Sequence, residues 1–131
     1  MLSLTLPWTP GPARPAARPA VVMASEFRVR RLWHVPGFLR QSLEVRRQTR
    51  RAPGALGIAL RTAPFRRTFW VLSGWTDREA LDAFVRSPAH RRAMTALRPT
   101  MASSLFTDWE ADPTAAPDWA GAADRLAAQR R

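Results

Sequence analysis

The segment Thr68–Trp75, TFWVLSGW, constrains the fold more than any other stretch of the chain. It is rich in aromatic and β-branched residues and carries apolar groups at both parities. That is the pattern of a strand covered on both faces, and hence of one in the middle of a sheet. A central strand needs neighbours, and the sequence supplies three. Val21–Trp33 alternates Phe27, Val29 and Trp33 with Arg28 and Arg30; Ala55–Thr62 sets Leu56, Ile58 and Leu60 on one side; Ser104–Glu110 does the same with Leu105, Thr107 and Trp109.

Helical spacing fills the gaps between these strands. After His34-Val35-Pro36-Gly37, where Pro36 suits a first helical turn, Phe38, Ser42, Val45, Thr49 and Ala52 recur at steps of three and four until Pro53-Gly54 stops the helix. Thr76-Asp77-Arg78-Glu79 reads as a capping box opening a helix with Leu81, Phe84 and Val85 inward. Ser87-Pro88 restarts the helix in a new direction, with Ser87 as cap and Pro88 in the first turn. His90, Ala93, Met94 and Leu97 then form one stripe, which places His90 on the buried face. The order βαββαβ is that of a ferredoxin-like α+β fold with a four-stranded antiparallel sheet.

The boundaries that follow are an extended Pro/Arg-rich arm over 1–20, an α+β domain over 21–112, and a helical appendage over 113–131 with Trp119, Ala122, Ala123 and Leu126 along one stripe. Prolines 7, 10 and 12 deny the arm both a helix and a signal-peptide core, so it reads as a tail, with Met23 as an alternative first residue. No apolar run approaches the roughly 18 residues of a membrane span. The cytoplasm is the compartment these features suggest.

Several function classes drop out. With no cysteine there is neither a thiolate nucleophile nor a zinc-thiolate cluster. The two histidines stand at no metal-ligand spacing, so no metal is expected, and Ser73 lacks the sequence of a nucleophile elbow. The net charge of +11 comes from 21 basic residues, all arginine and dispersed along the chain. With Lys and Asn absent and Ala and Pro abundant, this looks like the imprint of a GC-rich genome, and nucleic acid is an unlikely partner.

Two helices shield one face of a four-stranded sheet, and the other face is also apolar here, so a second copy of the chain is the simplest cover, as a homodimer. The alternative is that the arm or the C-terminal helix covers it.

The stretch TFWVLSGWTDREALDAFVRSPAHRRAM, followed by a strand ending in Trp109, resembles the antibiotic-biosynthesis-monooxygenase-like proteins of the dimeric α+β barrel superfamily, and also spheroidene-monooxygenase-like proteins. The resemblance covers about Val22 to Asp112. It implies a pocket between sheet and helices where some relatives oxidise quinols or anthrones with dioxygen and no cofactor, while others bind haem. His90 matches the helical histidine and would be the catalytic base. Trp75, Trp70 and Phe38 would wall an aromatic slot with Met94 beside them, and Arg61 would be a donor to the oxygen anion. The haem-degrading branch relies on an Asn, and this chain has none. The expected function is thus a cofactor-independent monooxygenase for a small aromatic or quinol-like molecule. The alternatives are a haem or small-ligand binder and a non-catalytic dimeric module.

Overall fold

The computed structural model describes residues 3–130. Among these are five strands, β1 (Leu4–Pro10), β2 (Ala20–Val29), β3 (Ala55–Ala63), β4 (Thr68–Trp75) and β5 (Met101–Ala111). The α-helices are α1 (Val35–Thr49), α2 (Arg78–Val85), α3 (Pro88–Leu97) and α4 (Trp119–Arg130). The strands form one antiparallel sheet in the order β1-β3-β4-β2-β5, with β4 in the centre, as its two-sided apolar composition requires. Strands β2 to β5 with α1 to α3 are the ferredoxin-like α+β unit.

The fifth strand is a correction to the four expected. Within the arm, Leu4, Thr5 and Leu6 pair with Thr62, Arg61 and Leu60, and Thr9 and Pro10 resume pairing with Ile58 and Gly57 after a shift in register. Pro7 falls in that irregularity and Pro10 at the strand end. A residue without an N–H is tolerated at such places on an edge strand. The Trp8 indole packs against Gly57 and Gly74, closely enough that a Cβ on Gly57 would lie 2.3 Å from the ring.

The helix starts also show which cap wins. At α2 the cap is Asp77, whose carboxylate accepts from Ala80 N–H at 2.8 Å, rather than Thr76. A carboxylate satisfies an orphan donor at a helix N-terminus and also suits the dipole there. At α3 the Ser87 hydroxyl accepts from His90 N–H at 3.3 Å, with Pro88 in the first turn.

Side chains of alternating parity give the sheet two cores. Toward α1, α2 and α3 point Phe27, Val29, Phe69 and Trp75, packed with Phe38, Leu81 and Leu97. Toward the other side point Val22, Ala24, Ala59 and Leu72, which close on Ala122 and Leu126 of α4 with Trp8, Trp70, Trp109 and Trp119 around them. The C-terminal helix is fastened at two further points. Arg130 bonds Glu26 of β2 at 3.0 and 3.4 Å, and the Arg125 guanidinium lies 4.4 Å from the centre of the Trp109 ring. The apolar face that argued for a twin from sequence is therefore covered by α4 and Trp8 of the same chain.

Candidate functional site

A cavity of about 400 Å³ lies between the sheet and α1–α3. Its floor is one parity of the strands: Met23, Ser25 and Phe27 on β2, Ile58 on β3, and Val71, Ser73 and Trp75 on β4. The β2–β4 register sets Met23 opposite Ser73 and Ser25 opposite Val71, so the two serines are diagonal neighbours in an otherwise apolar floor. The roof comes from Phe38, Phe84, His90 and Met94, and the arginines Arg91 and Arg98 of the α3 segment stand at the rim. An apolar slot with a few convergent polar groups is the usual form of a small-molecule site.

His90 is half-buried in this roof. Burial pushes its pKa below the ordinary 6.5, and a hydrogen bond to the Val85 carbonyl acts in the opposite sense but less strongly. Burial therefore favours the neutral imidazole near pH 7, in which one ring nitrogen is a donor and the other an acceptor. Its ring is further fixed by an edge contact with Phe84, 5.0 Å between centroids, and Phe84 in turn lies 4.9 Å from Trp75. The Trp75 indole N–H donates to the Ser73 hydroxyl at 3.0 Å, which leaves the hydroxyl proton of Ser73 free to donate elsewhere.

Of the six residues singled out from sequence, His90, Trp75, Phe38 and Met94 line this cavity together. Trp70 and Arg61 do not. They pair with each other across β3 and β4 and face α4, lining a second cavity on the opposite side of the sheet. Trp70 and Trp75 are five residues apart on one strand, so the period of two sends them to opposite faces. Of the two polar floor residues, sequence reasoning passed over Ser25 and weighed Ser73 only as a nucleophile. Their signal is a hydroxyl at the parity of Phe27 and Trp75, on a face otherwise apolar. Arg91 and Arg98 take the cationic place that had been given to Arg61.

Among the described residues, no group of three or more His, Asp or Glu side chains stands close enough to hold a metal ion. No helix of the described residues is long and apolar enough to cross a membrane.

The family model for antibiotic biosynthesis monooxygenases matches residues 21–96, more than half of the chain. The chain belongs to the antibiotic biosynthesis monooxygenase family. The match contains β3, β4, α1 and α2 entire, β2 from its second residue and nearly all of α3, so the helices that roof the His90 cavity lie in the family's domain, whereas β1, β5 and α4 lie outside it. No curated protein matches the chain by sequence.

Solved structures extend the family likeness to the fold. A protein of Nitrosomonas europaea, whose name assigns it to the antibiotic biosynthesis monooxygenases, superposes with a TM-score of 0.64 at 14% identity over 70% of this chain and 89% of its own. The cofactor-independent oxygenase SnoaB of Streptomyces nogalater gives 0.62 at 21% identity over 76% and 98%. A protein of Caulobacter crescentus CB15 with the same family assignment gives 0.65 at 20% identity over 71% and 90%. The finer likeness to spheroidene-monooxygenase-like proteins finds no support in these matches.

Proposed function

We propose that the chain is a monooxygenase that oxidises a small aromatic, quinol- or anthrone-like molecule with dioxygen and without a cofactor. The observation that carries this reading is an imidazole, His90, kept neutral by burial and packed on Phe84, in the roof of a largely apolar slot. The family membership and the fold shared with SnoaB support it.

In the proposed reaction the flat substrate lies between the sheet floor and the Phe38 and Phe84 rings. The free nitrogen of His90 removes a proton from the acidic C–H of an anthrone, or the O–H of a quinol, and burial favours the resulting delocalised anion over a hydrated one. The anion gives its electrons to dioxygen. For an anthrone, a C–O bond forms at the reacting carbon to give a hydroperoxide; this loses water, leaving a carbonyl, so that one oxygen atom enters the product and the other leaves as water. The Ser73 and Ser25 hydroxyls are placed to donate to the substrate oxygen as charge develops, and Arg91 and Arg98 would attract an anionic substrate at the rim.

The partners in this reading are the aromatic substrate and a second copy of the chain. The family likeness supports the dimer. The cytoplasm remains the proposed compartment.

Haem binding is the second reading. It is favoured by the same imidazole, since His90 in the cavity roof would be the residue to hold the haem iron. Bound haem would supply redox chemistry that the side chains lack.

Oxygen uptake with a panel of quinols and anthrones under labelled dioxygen tests the first reading: one labelled atom in the product and loss of uptake in His90→Ala are expected. A haemin titration that produces a His90-dependent absorption band, with no uptake, would favour the second. Silence in both would leave a non-catalytic module.

A further inference from the structure

On the opposite face of the sheet, β3, β4 and β2 bring a different set of side chains together. The registers set Arg61, Trp70 and Glu26 in one row and Thr68, Arg28 and Ser103 in the next. With Arg66 from the β3–β4 turn, and with one face of α4 from Trp119 to Arg130 as a lid, they line a cavity of about 500 Å³.

The charges of this cavity do not balance. Among the described residues, Glu26 is the one carboxylate in its lining, and it is already engaged, accepting from Trp70 Nε1 at 2.8 Å and from Arg130 at 3.0 Å. Among the described residues, the guanidiniums of Arg28, Arg61 and Arg66 form no ion pair. Arg61 on β3 and Arg28 on β2 stand on either side of β4, with Arg66 on the turn, and an anion bound between them would give these three exposed guanidiniums a counter-charge. Guanidinium forks match the oxygens of a phosphate or carboxylate, and the half-buried indoles of Trp70 and Trp119 offer flat apolar walls beside them.

We propose that this cavity is a second binding site, for a planar aromatic molecule bearing a dianionic head such as a phosphate monoester. The head lies among Arg28, Arg61 and Arg66 and the ring against Trp70 and Trp119. Five of the cavity's twelve lining residues stand on α4, which lies outside the residues matched by the family model, while the three arginines lie within them. The site does not depend on the reaction assigned to the His90 cavity.

Isothermal titration of the full chain at low salt with 1-naphthyl phosphate, and in parallel with 1-naphthol and with inorganic phosphate, tests it. Naphthyl phosphate should bind at least tenfold more tightly than either fragment. Arg28→Gln and Arg61→Gln should each weaken it tenfold or more, and His90→Ala should leave it unchanged. Both arginines are exposed strand residues, so the variants keep the fold, and an unchanged melting temperature verifies this. Arg66→Gln, on the turn, provides a third reading with no strand altered. Absence of binding, equal affinity for 1-naphthol, indifference to all three arginine substitutions, or loss of binding in His90→Ala would each overturn the proposal.

Discussion

Burial holds the His90 imidazole neutral, and this has a consequence for stability as well as for chemistry. A histidine whose pKa falls on folding binds fewer protons in the native state than in the unfolded chain. Its contribution is complete above the ordinary 6.5 and is lost as the pH falls from there through the lowered native value. Urea midpoints measured at pH 8 and pH 5 should therefore drop more on acidification for the wild type than for His90→Gln; an equal drop in both would mean that the imidazole is not the buried neutral group described. At this scale the sequence was legible where one helix decides the outcome, since the stripe His90, Met94, Leu97 needs only the helical period. It was less so across strands. Parity alone separates Trp70 from Trp75, but Arg61 is assigned a face only once its register opposite Trp70 is known. Ser25 and Ser73 were obscured by a different cause: on an apolar strand face, a lone hydroxyl reads as a tolerated small residue until a neighbour such as the Trp75 indole gives it a partner.

The elements read most clearly were those whose pattern is locally complete. Thr68–Trp75 is β4 to the residue, and Pro53-Gly54 ends the first helix segment, with Gly54 at φ +82° where a side chain would strain the turn. Strand β1 was hidden because prolines argue against regular pairing, whereas the irregularity between Leu6 and Thr9 accommodates Pro7. What secures this strand is Trp8 on Gly57. Gly57→Ala should force the indole off the sheet and cost about 1–3 kcal/mol, the usual range for overfilling a packed site. Hydrogen exchange should then show the β1 amides losing protection while β4 keeps its own. Unchanged protection of β1 would show that Trp8 is not its anchor.

For the molecule as a whole, α4 is the element that departs from a bare family domain. Ala122 and Leu126 are buried against Val22, Ala24, Ala59 and Leu72, so removing residues 113–131 uncovers an apolar sheet face. Light scattering should find the truncated chain more strongly self-associated than the full one. Weaker association after truncation would instead make α4 an adhesive element of the dimer. The proposed chemistry lies on the other face of the sheet, in the His90 cavity. The most direct test is kcat/KM for oxygen uptake with an anthrone, followed against pH in the wild type and in His90→Ala. If His90 is the base, the wild type loses activity on an acid limb lying below 6.5, and His90→Ala is slower by about 10²-fold or more and lacks that limb. A His90→Ala protein that keeps both the wild-type rate and its acid limb would contradict the assignment.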